Sequence, residues 1–181
     1  ITYRVKWLIE QAGIHPSNIL VITFTRAAAR EMEQRFKKLM ESEQTLVMFG
    51  TFHSVFFMIL RYAYRYTGRN IVREEERRNY VKEMIDEKEL EIEDEAEFLP
   101  GILNAIRYVK GEMMDLSLYH SSNCADDLFQ EIYNGYEQRL RSRQMLDFDD
   151  MLVFCYELLR ERPDILKMWQ ERFRYILVDE F

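Results

Sequence analysis

The sequence predicts an α/β fold in which a parallel sheet is interrupted by an all-helical insertion. Three observations carry that prediction. Strand-like apolar runs alternate with helix-forming stretches over residues 1–69, which is the grammar of a parallel α/β layer. From 70 to 145 the strand signal disappears. The run "YILV" at 175–178 then restores it, directly ahead of an Asp-Glu pair. The predicted division is 1–69, 70–145 and 146–181, with the outer segments belonging to one sheet domain.

Each element follows from local pattern. "ITYRVKWLIEQAG" places apolar residues at 1, 5, 8, 9 and 12, a helical spacing that Gly13 stops. "HPSN" is a turn. "NILVITFT" (18–25) is a continuous β-rich run and so a buried strand. "RAAAREMEQRFKKLMESE" is rich in strong helix formers. "TLVMFG" reads as a second short strand, and "HSVFFMILRYAYRY" as a second helix closed by Gly68. Helices are expected near 74–89, 95–110 and 124–143, separated by the acidic "DEKELEIEDEAE" and by "KGEMMDLSLYHSSN". "DFDDMLVFCYELLRER" is predicted helical with Asp147 as N-cap, and "PDILKMWQERF" opens on Pro163 at a helix N-terminus. The apolar run of the last strand suits burial on both faces.

Composition narrows the class. At 48% hydrophobic and 14% aromatic, the 181 residues describe a folded protein and not a disordered one. Cys124 and Cys155 stand far apart without a CxxC, so a reducing, cytoplasmic setting is expected. His15, His53 and His120 are scattered and show no zinc spacing. No apolar run reaches the ~18 residues of a membrane helix. The net charge of −7 is uneven: residues 1–80 hold 13 Lys+Arg and 8 Asp+Glu, and residues 81–181 hold 12 and 24. Phosphate contacts need local Lys and Arg, so a nucleic-acid surface is expected to draw on the first half.

Four motifs bear chemistry. In "YILVDEF", carboxylates just past a parallel strand lie where open α/β sheets bind ligands. Asp179 there can hold Mg²⁺, and Glu180 can orient or deprotonate a water, the Walker-B arrangement of phosphate-hydrolysing enzymes. The alternative is a strand that leaves the core and meets solvent with two charges. "VITFTRAAAREM" sets Thr23, Phe24 and Thr25 between a strand and a helix start. Hydroxyls and helix N–H groups there can hold a nucleic-acid backbone while Phe24 stacks on a base; alternatively Thr25 is an N-cap and Phe24 is core. "FGTFHS" offers Thr51, His53 and Ser54 to phosphates at the same sheet edge, or His53 as a cap. In "QMLDFDDML", three acids at a helix start complement the helix dipole. No GxxxxGK[ST] loop occurs in these residues. Either this is not an NTPase, or the loop lies ahead of Ile1.

Taken in order, these segments resemble the UvrD/Rep/PcrA family of superfamily 1 DNA helicases. "ILVITFTRAAAREM" resembles motif Ia and "GTFHS" motif Ib; "LDFDDML" is similar to the segment ahead of motif II, and "YILVDEF" to motif II itself. "ITYRVKWLI" resembles the helix after the Walker A loop, and "AIRYVKGEMM" and "YEQRLRSRQMLDFDD" the helical 1B insertion. The resemblance implies a partial RecA-like domain 1A of the P-loop NTPase type, interrupted by 1B. It implies ATP and Mg²⁺ as cofactors of a larger parent, with ATP held between 1A and a second RecA-like domain, 2A. It implies 3′-to-5′ movement on single-stranded DNA, which crosses the tops of both.

Carried over by motif, Asp179 would hold Mg²⁺ and Glu180 would activate the attacking water. Phe24, Thr25, Thr51 and His53 would touch the strand. Arg26 and Ala27 depart from the family's usual Asn-Lys, exchanging one polar DNA contact for a charge. Gly111 departs from an Asn in the 1B segment. The implied partners are single-stranded DNA, single-strand/duplex junctions and the rest of a helicase chain, domains 2A and 2B. The 181 residues alone are expected to be inactive as an ATPase. An AddA/RecB-type helicase–nuclease subunit is one alternative, and a non-catalytic nucleic-acid-binding module another.

Overall fold

The computed structural model describes residues 1–92 and 94–179; Glu93, Glu180 and Phe181 lie outside the described residues. In chain order the elements are α1 (Thr2–Glu10), β1 (Ile19–Thr23), α2 (Arg26–Leu39), β2 (Met48–Thr51) and α3 (Phe52–Tyr64). There follow α4 (Glu74–Glu87), α5 (Glu95–Gly111), α6 (Asp126–Ser142), α7 (Phe148–Glu161), α8 (Pro163–Arg172) and β3 (Tyr175–Val178). The chain forms two compact units, Ile1–Ile59 with Cys155–Phe181, and Leu60–Phe154. These limits fall inside α3 and α7, whereas sequence pattern places them at 69/70 and 145/146. Among the described residues no helix is long and apolar enough to cross a membrane.

The sheet unit holds a parallel sheet of order β2-β1-β3. All five residues of the central strand β1 are buried, as a strand flanked on both edges and covered on its faces must be. The α2 face that meets it carries Ala29, Met32 and Phe36 at helical spacing. With Val5, Leu8, Ile19, Val21 and Val47, Met32 and Phe36 form the core of this unit. Gly50 lets α3 close tightly on β2, since a Cβ there would sit 2.9 Å from Ser54 Oγ.

β3 corrects one expectation. It is an edge strand, and Tyr175 is 36% and Ile176 58% exposed. Its apolar run matches that of β1, but only β1 has a strand on either side. Apolar content reports the capacity to be buried, and position in the sheet decides whether that capacity is used.

The helical unit packs α4, α5 and α6 around Tyr80, Met84, Ile102, Ile106, Ile132 and Leu140. Gly135 brings α6 against α4, since a Cβ would meet Met84 Sδ at 2.6 Å. The segments on either side of the helices are stitched together. Leu146 N–H donates to Asn70 O at 2.7 Å and Val72 N–H to Leu146 O at 2.8 Å.

A buried ionic network lies inside this unit. Lys110 Nζ, its side chain 4% exposed, stands 2.6 Å from Asp150 Oδ1, 2.7 Å from Glu137 Oε1 and 2.8 Å from Asp147 Oδ2. Tyr136 Oη donates to Asp147 Oδ2 at 3.0 Å and accepts from Arg77 Nε at 2.9 Å. Burial opposes the ammonium charge, but Asp150, Asp147 and Glu137 outweigh it and hold Lys110 above its ordinary value. Burial pushes Asp150 up to about 7, with the neighbouring Asp147 charge adding to the effect. For Asp147 burial acts in the same direction, yet Lys110 prevails and holds it below the usual carboxylate value.

The acids of "LDFDDML" thus do more than the dipole complement expected of them. At the start of α7 Asp147 N–H donates to Asp150 Oδ2 at 2.9 Å and Asp150 N–H to Asp147 Oδ1 at 2.8 Å. Both are also buried, at 0% and 2% exposure, against a lysine 37 and 40 positions earlier.

Candidate functional site

The candidate site is the C-terminal edge of the sheet. Because the strands are parallel, all three end on that edge. Thr23 at the end of β1 pairs in register with Thr51 at the end of β2. On the other side Ile22 pairs with Val178, and Asp179 N–H donates to Ile22 O at 2.9 Å. This places the backbone of Asp179 beside the end of β1, with the threonines next to it. Parallel sheets bind ligands at this edge because the strand-to-helix turns open there.

Each turn is built by its own residues. Thr25 caps α2, its Oγ1 accepting from Ala28 N–H at 3.1 Å, as the N-cap reading of the sequence expects. The cap turns the chain so that Phe24 points outward, 60% exposed. The core alternative for Phe24 is thereby removed. Its ring lies 5.2 Å from that of Phe52, which lies 6.1 Å from Phe56, so the three rings are successive neighbours. In the second turn, Thr51 N–H donates to Ser54 Oγ at 2.8 Å, and Ser54 N–H to Thr51 Oγ1 at 3.2 Å. Thr51 is accordingly buried, and its hydroxyl serves the turn. His53 is half-buried in the first turn of α3, and Arg26 is exposed in the first turn of α2.

Thr23 differs from the other two threonines. It is fully buried, and its Oγ1 has no hydrogen-bond partner. Such a group costs about 1–3 kcal/mol, so an unmatched hydroxyl at the strand end next to that of Asp179 calls for an explanation. Among the described residues no group of three or more His, Cys, Asp or Glu is arranged to hold a metal. Mg²⁺ does not require one, since it keeps several waters and commonly takes only one or two carboxylates. The oxygen donors of Asp179 and Thr23 fit a hydrated Mg²⁺. Glu180, expected as catalytic, lies outside the described residues.

Comparison with known proteins decides the family. The model of the UvrD/REP helicase N-terminal domain matches residues 1–181. The chain belongs to this family. YjcD of Bacillus subtilis (strain 168) is 35% identical over 192 residues, which cover all of this chain and 24% of YjcD. The ATP-dependent DNA helicase PcrA of Staphylococcus aureus (strain Mu50) is 31% identical over 193 residues, which cover all of this chain and 25% of PcrA. The chain thus spans about a quarter of the length of the curated relatives it matches.

For a UvrD/REP N-terminal domain, the structure brings Phe24, Thr25, Thr51 and Asp179 to one edge of one unit. It adds Phe52 and Phe56, which sequence pattern did not single out as site residues, and gives Thr23 a new character. Thr23 was legible as a strand-end hydroxyl but not as an unpartnered one. Phe52 of "GTFHS" and Phe56 stand at i, i+4 spacing. That spacing also fits a core face, so only the structure separates the two.

Proposed function

We propose that this chain forms the metal-side carboxylate edge and part of the single-strand contact surface of an ATP-dependent DNA helicase. The observation that supports this most directly is the unpartnered, fully buried Thr23 hydroxyl beside Asp179, at the edge where all three parallel strands end. Asp179, with the Thr23 hydroxyl on the neighbouring strand end, would hold Mg²⁺, which when bound would neutralise phosphate charge. The bound metal nucleotide supplies the reactive phosphate. Glu180, next in sequence, orients and deprotonates the attacking water.

Phe24 with Phe52 and Phe56 offers a stacking platform for bases. Arg26 is placed to meet a phosphate, and Thr25, Thr51 and His53 line the turns beside it. The parent acts 3′-to-5′ on single-stranded DNA and at single-strand/duplex junctions, in the cytoplasm. There the chain works with further domains, of which the 2A type closes on the nucleotide and the 2B type accompanies it.

The experiment is a Glu180→Gln exchange in a helicase carrying this domain. Turnover should fall by orders of magnitude while nucleotide binding persists, since the group acts on water and not on affinity. Retention of most of kcat would remove Glu180 from the reaction. The 181-residue chain by itself has no phosphate loop, and its ATP hydrolysis should not exceed that of the same chain carrying Glu180→Gln.

A further inference from the structure

The opposite edge of the sheet, where the strands begin, carries a cavity of about 440 Å³. That volume is in the range of small-ligand sites. Its apolar walls are Ile9 in the last turn of α1, Phe36 and Met40 at the end of α2, Pro16 ahead of β1 and Leu46 ahead of β2. All of them belong to the sheet unit. Phe36 is 2% exposed and Leu46 66%, so the walls run from the core to an open mouth. The loop at that mouth is fixed by the end of α2. Ser42 N–H donates to Lys37 O at 3.1 Å and Glu41 N–H to Lys38 O at 3.2 Å, the paired bonds that reverse a chain after a helix.

The polar groups of the cavity are already engaged with one another. Ser42 Oγ donates to Gln44 O at 2.9 Å and accepts from Gln44 N–H at 3.3 Å. Thr45 Oγ1 accepts from Val47 N–H at 3.0 Å. Water inside therefore has few groups to bond, and displacing such water by an apolar group is favourable. An extended peptide fits less well, since its amides would be buried there without partners.

Charge narrows the ligand further. None of the eight lining residues is charged, so an ion entering would lose water and gain no partner. Glu41 and Glu43, exposed on the loop, form no ion pair among the described residues. Both α1 and α2 end at the cavity, and a helix C-terminus is its negative end. Lys6 offsets part of this, pairing with Glu10 at 3.7 Å and donating to Leu39 O at 3.4 Å. Lys37 is engaged by Glu33 at 2.7 Å, and Lys38 stands about 200° around α2 from Phe36. The mouth is thus electronegative, and anions are disfavoured twice over.

We propose that this cavity is a binding site for an uncharged, largely apolar aromatic small molecule, and that anions, nucleotides among them, are kept out of it. The site shares no residue with the candidate site at the other edge. Helix α2 joins the two, with Thr25 capping its first turn and Met40 closing its last.

The test titrates the 181-residue chain with N-phenyl-1-naphthylamine, an uncharged dye that fluoresces in apolar surroundings. In parallel it uses 8-anilinonaphthalene-1-sulfonate, the same ring system with one negative charge added. The neutral dye should bind saturably at one site, and roughly ten-fold or more tighter than the sulfonate. Glu41→Gln with Glu43→Gln should narrow that gap. Leu46→Glu should weaken the neutral dye roughly ten-fold or more. Leu118→Glu, the same exchange at a 70% exposed leucine of the helical unit, should leave it unchanged. Both leucines are exposed, so both melting curves should overlay the wild type. Methionine-methyl NMR of the wild-type chain gives a readout that does not depend on Leu46→Glu folding. The neutral dye should shift the Met40 signal, identified by its loss in the volume-conserving Met40→Leu, more than any other methionine signal. No saturable binding of the neutral dye, equal binding of the sulfonate, or an unmoved Met40 signal would each overturn the proposal. So would an equal loss in Leu118→Glu. A dimer in sedimentation runs that Leu46→Glu abolishes would overturn it too, since a second copy would then occupy this face.

Discussion

At the end of β1 a threonine hydroxyl is buried without a partner and a phenylalanine stands 60% exposed. In the helical unit a lysine is buried with three carboxylates within 2.8 Å, and a tyrosine and an arginine complete the set. Both regions place polar groups out of water, and they settle the cost differently. The network pairs its buried charges internally, the condition for a buried charge to be tolerated, although Arg77 Nη2 has no hydrogen-bond partner there. The sheet edge leaves the Thr23 hydroxyl unpartnered and an aromatic ring in solvent, the two features on which the proposed site rests.

The comparison breaks most readily at Lys110. Lys110→Met keeps the bulk and removes the cation, leaving Glu137, Asp147 and Asp150 facing one another in the interior. Removing one partner of a buried ionic set costs about 3–5 kcal/mol. Urea unfolding at neutral pH should show a loss of that size. A loss below about 1 kcal/mol would mean that the network does not hold the helical unit together.

A second test uses pH. In the native state Asp150 is pushed up to about 7, while an unfolded aspartate titrates near ~3.9. Between those values the native chain holds a proton that the unfolded chain has released. Stability from this group is therefore largest at the acidic end of the window and falls as pH rises toward 7, by up to about 1.4 kcal/mol per pH unit. Asp150→Asn cannot titrate and should lose that downward slope. Parallel wild-type and variant curves of unfolding free energy between pH 4.5 and 7 would show that Asp150 is already ionised throughout.

These two effects were also the least legible in the sequence. Strand–helix alternation, the break at 70 and the N-caps at Thr25 and Asp147 are local properties, carried by residues that touch within one turn. Lys110 sits in "RYVKGEMM", where a base near a helix end reads as a solvated complement to the dipole. Nothing within a turn of it shows that Asp147 and Asp150 close over it from another helix. The exposure of β3 was hidden for a similar reason: its pattern matches that of β1, and only sheet order distinguishes centre from edge. At the site, the residue types at the strand ends were readable. That Thr51 is occupied by Ser54 and Thr23 by nothing was not, because hydrogen-bond satisfaction depends on the turn actually formed.

On the sheet side the effects are smaller. Thr25→Ala removes the cap that accepts from Ala28 N–H and should cost about 1 kcal/mol. Thr25→Ser or Thr25→Asp, which restore an acceptor, should recover most of it. If Thr25→Ala were neutral in thermal melting, the hydroxyl would not be needed by the fold, and its role would shift to the DNA strand alone.

The smallest change in stability is expected at Phe24, and it separates the two regions most sharply. A core phenylalanine cut to alanine costs about 3–5 kcal/mol. Phe24 is 60% exposed and its ring lies 5.2 Å from that of Phe52, so Phe24→Ala should cost under about 1 kcal/mol. The same substitution should weaken dT20 binding by about 1–3 kcal/mol, the worth of one stacked base. The salt dependence should stay as in wild type, because no phosphate contact is lost. Melting and titration on one sample give both numbers. A drop of several kcal/mol in stability with DNA affinity intact would place Phe24 with the core residues, and the sheet edge would lose the aromatic on which its stacking role rests.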